Sequence, residues 1–381
     1  MTLTITVQNF RGLRNAKWSP DGVALVVGPN GSGKSTLLNV YKFINNVYVR
    51  SFSSAIEHEG GPWGFRHFMA TPDEDVSFRV ELDEVAWELR LPVSAVSVTN
   101  LWSERLLFAG NSVMEREGGS QKFVYKGITL ESDGKTALRR AYDVVRDSTL
   151  EPLDRTLKGF RNYHDYRLSQ LRINGSRTAS ELFLHQAGEN LFSVLRNWRD
   201  KRDSRVSYDL VIDGMRDAFP DLIEDFEFDV AGQTVTMNAI LRKMPDPVPA
   251  YHLPDGVLVA LLHLCAVAGA PDRAVVGIDE MENALHPYAI RSLTNTFREV
   301  AARRGLTVLL STHSPVLLDE FSSEPEHVLV MEPGAESVPV KLSDSHNPQW
   351  LAQFSLGKLY SSLEFGAPLT PEYTPVEKLK G

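Results

Sequence analysis

The sequence predicts an α/β fold in which a mostly parallel core sheet carries an antiparallel β lobe and a helical insertion. Three observations lead there. Val23 to Val27 is a short continuous apolar run that enters a glycine loop and then a segment of helical spacing, as a buried parallel strand does. Ala274 to Ile278, a helix opened by His286-Pro287, and Thr307 to Leu310 together form a βαβ pattern, which requires parallel strands. Val76, Phe78, Val80 and Leu82 alternate with polar residues, the period of a strand with one wet face.

Taken in order, Thr2 to Val7 alternates polar and apolar and predicts a half-exposed strand. After the Val23 to Val27 strand, Leu37, Leu38, Tyr41 and Ile44 give the next segment a helical apolar stripe. Residues 76 to 98 predict antiparallel strands, with Val85 to Val93 continuing the first. From 135 to 205 the chain reads as helical, with Leu182, Leu191, Val194 and Leu195 as core positions. Phe226, Phe228 and Val230 facing Val235 and Met237 predict a hairpin that turns at Ala231-Gly232. The helix begun at Pro287 ends with Arg303 and Arg304 complementing its dipole and Gly305 as its cap. The expected domains are an N-terminal lobe over 1–134, a basic helical insertion over 135–205, a C-terminal lobe over 206–365 and a proline-rich loose tail over 366–381. No heptad repeat supports a coiled-coil arm.

Composition narrows the class. The 381 residues are 43% hydrophobic and 23% charged, the balance of a soluble globular protein. The one cysteine, Cys265, lies in the apolar run Val257 to Ala268, so a disulfide framework is excluded and a buried inert thiol is expected. No basic segment followed by an apolar stretch opens the chain, and the longest apolar run, near Val257 to Ala270, is short of the ~20 residues that span a bilayer. A cytoplasmic protein with no membrane partner is expected.

The net charge of −9 excludes a protein that coats nucleic acid with its whole surface. Residues 135 to 205 nevertheless hold 15 Lys and Arg against 9 Asp and Glu. There Arg155, Lys158, Arg161, Arg167, Arg172 and Arg177 are interleaved with Phe160, Tyr163 and Tyr166, a mixture that contacts phosphates and stacks bases. A solvated helical face with internally paired arginines fits the same residues.

The chemistry-bearing motifs lie around the predicted parallel strands. Gly28-Pro29-Asn30-Gly31-Ser32-Gly33-Lys34-Ser35-Thr36 matches GxxxxGK[ST]. Glycines there let backbone N–H groups close on phosphate, the helix N-terminus adds positive potential, Lys34 reaches the β and γ phosphates and Ser35 ligates Mg²⁺. Asp279-Glu280 closes the strand before it, where one carboxylate holds Mg²⁺ through water and the next orients an attacking water. His313 follows a strand at the end where α/β sheets bind ligands. Glu224, Asp225, Glu227 and Asp229 admit a two-metal nuclease reading, but their spacing more simply describes the wet face of a strand backed by Phe226 and Phe228.

These motifs, with Asn9-Phe10-Arg11-Gly12, Ile278 to Pro287, Ser311-Thr312-His313-Ser314-Pro315, Gly188-Glu189-Asn190-Leu191 and Phe354 to Gly357, make the chain similar to ABC-type ATPases of the SMC, RecF and OLD group, most of all its small stand-alone bacterial members. The likeness covers residues 1 to about 365. It implies an ABC-type P-loop ATPase head that binds ATP and Mg²⁺. Lys34, Ser35 and the Asn30 to Thr36 loop would hold phosphate, Asp279 would be the Walker B acid, Glu280 the catalytic base, Asn283 to His286 the D-loop and His313 the switch, with Arg11 near the nucleotide. It also implies a homodimer or higher oligomer through ATP-sandwiched heads, and an effector partner such as a nuclease or toxin in antiphage defence or DNA repair.

Two departures stand out. The signature Leu-Ser-Gly-Gly or Leu-Ser-Asp-Gly reads Leu253-Pro254-Asp255-Gly256; the serine hydroxyl and one backbone N–H are gone, while Asp255 is expected to cap the following helix and Gly256 to approach phosphate. The Q-loop glutamine has three candidates, Gln121, Gln170 and Gln186. Slow hydrolysis follows as an expectation, and with it a second reading: an ATP-binding scaffold that restrains a toxic partner. A transporter motor shares the core motifs but not the long gap between Lys34 and Asp279, and a small-molecule kinase has no need of Glu280 and His313.

Overall fold

The structure is a computed structural model that describes residues 2–61, 64–71, 73–92, 101–332, 338–362 and 365–366. β1 (Leu3–Phe10) and β2 (Leu13–Trp18) form a hairpin whose alternate residues Ile5 and Val7 are fully buried. β3 (Val23–Val27) is buried at every position and enters the glycine loop, then α1 (Lys34–Val49) and α2 (Phe52–His58). β4 (Val76–Leu82), β5 (Val85–Leu91), β6 (Ser103–Phe108) and β7 (Asn111–Arg116) join the first hairpin in an antiparallel sheet of order β2-β1-β4-β5-β6-β7. β8 (Lys122–Tyr125) and β9 (Ile128–Glu131) form a small hairpin next to β7. Residues 93–98 of the expected strands lie outside the described residues.

α3 (Ala137–Val145) and α4 (Glu151–Gly159) bring the chain back to β10 (Arg161–Tyr163). α5 (Leu168–Asn174), β11 (Ser176–Arg177), α6 (Leu191–Asp200) and α7 (Arg205–Ala218) then lead to the hairpin of β12 (Ile223–Ala231) and β13 (Thr234–Leu241), which β14 (Val248–Pro249) flanks. The remainder runs α8 (Asp255–Ala268), β15 (Val275–Ile278), α9 (Pro287–Arg304), β16 (Thr307–Ser311), α10 (Pro315–Asp319), β17 (Val328–Val330), β18 (Val340–Lys341), α11 (Leu342–Ser345), α12 (Pro348–Leu351) and α13 (Leu356–Ser361). α9 starts and stops as its sequence specifies, with Pro287 at its first position and Gly305 in the left-handed conformation after it.

The core sheet has the order β10-β15-β16-β3-β17-β18, parallel from β10 to β17 with β18 antiparallel at one edge. Both faces are covered, which is why its strands are continuously apolar. Val23, Leu25 and Val27 face a core built with α6, α7, α8 and α9, whereas Ala24 and Val26 face a second core shared by α1 and the antiparallel sheet. α1 thus lies between two sheets, with Leu37, Leu38, Tyr41 and Ile44 all fully buried. Cys265 is buried on α8.

One expectation needs correction. The stretch 135–205 is not helical throughout: Arg161–Tyr163 is the edge strand of the core sheet, in register with Val276 to Ile278, and Leu191, Val194, Leu195 and Trp198 belong to a main core. Three residues are too few to show a period, so the neighbouring helices masked the strand. Of the expected tail at 366–381, all but Gly366 lies outside the described residues. Among the described residues no helix is long and apolar enough to cross a membrane.

Candidate nucleotide site

The glycine loop leaves β3 from the middle of the parallel sheet and curls back into the N-terminus of α1. Gly28 sits at φ 151°, and a Cβ there would meet Met331 Cβ, Met331 O and Ser32 Oγ at 2.9 Å, so only glycine fits. Gly33 is the N-cap of α1 and no side chain caps the first turn, which leaves amide donors and the positive end of the helix dipole for an anion. Ser32 Oγ is buried without a partner. Lys34 is itself buried, and its Nζ donates to the carbonyls of Gly28 at 2.9 Å and Pro29 at 3.1 Å. Burial pushes the Lys34 ammonium down from the ordinary lysine range, opposed by the charges of Asp279, Glu280 and Glu282. Asn30, Gly31 and Ser35 are exposed and Thr36 is half-buried. An uncapped helix start, an orphaned hydroxyl and a lysine spending its bonds on loop carbonyls are what a phosphate would satisfy.

Arg11, at φ 49° in the β1–β2 turn, forms an ion pair with Glu59 and donates to Gly64 O at 3.2 Å. Its neighbour Gly12 faces Gly33 and Thr36, where a Cβ would be 3.9 and 3.7 Å from Gly33 Cα and Thr36 Oγ1. The turn therefore abuts the start of α1, while the Arg11 charge is turned to Glu59.

The carboxylates come from β15. Ser311, at the end of adjacent β16, donates to Asp279 Oδ1 and accepts from Glu280 N at 2.9 Å. Glu280 adopts φ 50°, a conformation that a glutamate rarely takes. Asn283 secures it, with Nδ2 donating to Glu280 Oε2 at 2.6 Å. Glu282 forms the next tie: its carboxylate accepts from Thr312 Oγ1 at 2.9 Å and from His313 N at 2.7 Å. Burial, then the Lys34 charge, pushes His313 below the ordinary histidine range, against Glu282, Glu280 and Asp279. Its Nδ1 lies 3.3 Å from Tyr360 Oη, which also donates to Gly28 O at 3.3 Å. Lys34, Asp279, Glu280 and His313 thus converge at one end of the core sheet.

Beside them a cleft of about 310 Å³ is lined by His164, Tyr166, His263, Asp279, Glu280 and Asn283, among others. His164 directly follows β10, and Asp279 N donates to Tyr163 O at 3.0 Å, so the strand pairing itself sets His164 alongside Asp279. Gln186, one of the three Q-loop candidates, has its amide on His164 Nε2. A wider groove of about 830 Å³ between α7 and α9 carries none of these residues.

The signature segment differs from its expected form. Asp255 is the first residue of α8 rather than its cap: Pro254 occupies the cap position, and no side chain caps the helix. The Asp255 carboxylate pairs instead with Arg172 of α5 at 2.5 Å, and Arg172 also donates to Leu253 O at 2.7 Å. Gly256 is pressed against the segment 283–286, where a Cβ would stand 2.5 Å from Ala284 O. Pro254 and Asp255 are exposed.

The basic stretch is largely paired. Arg155 binds Glu151, Lys158 binds Asp154 at 2.7 Å, and Arg161 donates to the carbonyls of Lys158 and Phe160. Phe160 and Tyr163 are core residues, 1% and 2% exposed, and have no face to offer a base; Arg167 and Arg177 are exposed. The acidic strand follows the wet-face pattern, with Phe226 buried, Asp225 accepting from Tyr208 Oη at 2.8 Å and Asp229 from Asn238 at 2.9 Å. Among the described residues no group of three or more His, Cys, Asp or Glu forms a metal site. Magnesium in such a site draws its ligands mainly from phosphate and water.

A parallel sheet with this loop, carboxylate pair and histidine defines a P-loop nucleotide-binding protein of the ATPase-head class. The family described as "AAA domain, putative AbiEii toxin, Type IV TA system" matches residues 23–319, and the chain belongs to it. Its fold is similar to an SMC head solved bound to the C-terminal winged-helix domain of ScpA, at a TM-score of 0.52 and 12% identity, over 90% of this chain and 99% of that one. The SMC head domain from Thermotoga maritima aligns at a TM-score of 0.42 and 13% identity, over 84% and 92% of the two chains. No curated protein matches the chain.

Proposed function

We propose that the protein binds and hydrolyses ATP as a conformational switch: two heads close around ATP, hydrolysis opens them, and the motion controls a partner effector or a DNA transaction. The observation that carries this reading is the convergence of Lys34, Asp279, Glu280 and His313 at one end of the core sheet. Lys34 would exchange its loop carbonyls for the β and γ phosphates, joined by the amides of Asn30 to Thr36. Ser35 and Asp279 would hold Mg²⁺, which supplies neutralisation of charge on the transferring phosphoryl group. Glu280, held by Ser311 and Asn283, would orient and deprotonate the attacking water. His313 would contact the γ-phosphate, and His164 would border the water from the β10 side. The family's description includes "putative AbiEii toxin, Type IV TA system", which supports a link to a toxin; a nuclease as the effector, a place in antiphage defence or DNA repair, and the cytoplasm as its compartment are our reading. Nucleic-acid contact through residues 135–205 would rest on Arg167 and Arg177.

The Arg172–Asp255 pair and the Pro254 cap favour a second reading, a weakly hydrolysing scaffold that restrains a toxic partner. The signature loop has no serine hydroxyl to offer a partner's γ-phosphate, and its aspartate is engaged within the chain. The two readings separate on steady-state ATP hydrolysis by the protein and by Glu280→Gln, with and without double-stranded DNA, together with the mass in solution with ATP. The switch requires turnover that the substitution abolishes and a dimer that forms with ATP. Tight ATP binding with negligible turnover selects the scaffold.

A further inference from the structure

Tyr360 has no place in the chemistry above, yet its hydroxyl lies 3.3 Å from His313 Nδ1 and 3.3 Å from the carbonyl of Gly28. It is mounted with care. α13 starts where α10 ends it: Asp319 Oδ1 accepts from Gly357 N at 2.7 Å and Ser322 Oγ from Leu356 N at 3.2 Å. α10 in turn begins directly after His313, with Ser314 as its cap. The histidine and the tyrosine are therefore carried by two helices bonded to each other, and the Tyr360 ring is seated 5.7 Å from that of Phe365. Both hydroxyl contacts, at 3.3 Å, exceed the roughly 2.5–3.0 Å of ordinary O–H bonds, so the phenol is within reach of both groups and committed to neither by a short bond.

We propose that Tyr360 is a positioning residue for His313, donating to Nδ1 when nucleotide is bound and so holding the imidazole in the tautomer with its proton on Nε2. This rests on the reading that His313 contacts the γ-phosphate. Phosphate oxygens only accept hydrogen bonds, so the nitrogen that meets them must carry a proton. A neutral imidazole has one proton, and the bond made by the far nitrogen decides where it resides. Burial and the Lys34 charge favour the neutral imidazole of His313, against Glu282, Glu280 and Asp279, and burial favours the protonated phenol of Tyr360. Lys34, Asp279, Glu280 and Glu282 are the charged groups around the imidazole; none is a donor to Nδ1. Gly28 O accepts from Lys34 at 2.9 Å in this structure; once Lys34 turns to phosphate, that carbonyl competes with Nδ1 for the phenol proton, and the ring shifts of His313 read the outcome.

Tyr360→Phe keeps the ring and removes the donor. It should lower kcat for ATP hydrolysis about ten-fold, the equivalent of one lost hydrogen bond, with KM for ATP changed less than about two-fold. In a His313→Ala background the same change should cost nothing further, whereas a purely structural tyrosine would cost the same in both. The direct readout is the ¹⁵N shift of the His313 ring nitrogens with a non-hydrolysable ATP analogue bound: wild type should show Nε2 protonated and Nδ1 bare, and Tyr360→Phe a mixture of the two. Identical ring shifts in both proteins, or wild-type turnover by Tyr360→Phe beside an inactive His313→Ala, overturns the assignment of Tyr360 alone. Wild-type turnover by His313→Ala overturns the reading of His313 and this one with it.

Discussion

Glu280 is the residue on which turnover should depend most. A positioned general base contributes roughly 10²–10⁴-fold, so Glu280→Gln should lower kcat by that range while ATP binding survives, measured by steady-state hydrolysis against equilibrium nucleotide binding. Its left-handed backbone is a local cost met by Ser311 and Asn283, and strain of that kind collects at functional positions. Gly256 supports a second expectation. Its close approach to Ala284 O leaves no room for a methyl group, so Gly256→Ala should destabilise the fold by about 1–3 kcal/mol through overpacking; an unchanged urea midpoint would contradict the packing of Gly256 on Ala284. The phosphate loop was legible because its residues are contiguous and the turn demands glycine. Ser311 and Glu282 lay within named motifs, but their roles did not show, because adjacent strands set their partners; His164 and Tyr360 were not legible at all, one placed by the β10–β15 pairing and the other by the packing of α13 on α10. Tyr360 meets His313 across 47 positions with no motif of its own.

Among the elements, α5 is the one whose role the sequence concealed. Arg172 was counted with a basic, nucleic-acid-like stretch, but its guanidinium fastens the signature loop through Asp255 and Leu253 O. Asp255 is about half exposed, 56% at its side chain, so the pair adds no more than about 1 kcal/mol to monomer stability. If the heads close around ATP as proposed, the pair acts at their interface: Arg172→Ala should then weaken the ATP-dependent dimer of Glu280→Gln about ten-fold in sedimentation, with thermal stability nearly unchanged. A dimer of undiminished strength would remove the loop from the interface. The β10 strand escaped notice for a related reason. Charge dominates its surroundings in the sequence, while the property that matters, the burial of Asn162 and Tyr163 beside β15, is a fact of pairing. The longer strands and α9 were legible because period, cap and breaker residues agreed.

For the whole molecule, stability should fall in mild acid because the fold buries a neutral histidine. His263, 2% exposed on α8 with Tyr166 Oη at 3.2 Å from its Nδ1, is pushed down by burial to about 4. Above the ordinary value of about 6.5 neither folded nor unfolded chain holds the proton, so this histidine costs nothing. Between about 6.5 and 4 the unfolded chain takes up a proton that the fold refuses, and stability declines by about 3 kcal/mol over that window. His67 and His313 shift in the same direction. His263→Gln retains a polar partner for Tyr166 and does not titrate, so its urea stability at pH 4.5 relative to pH 7 should fall less than that of wild type. Parallel curves would show that His263 accepts a proton in place.

The order of strands in the core sheet has a consequence for biosynthesis. β3 is paired on one side with residues 308–311 and on the other with residues 328–330, so the stem of the phosphate loop is made long before either of its neighbours. A nascent chain displays the loop motif throughout elongation without the sheet that shapes it. Nucleotide capture is thereby deferred until both of those later strands have been made and have paired with β3.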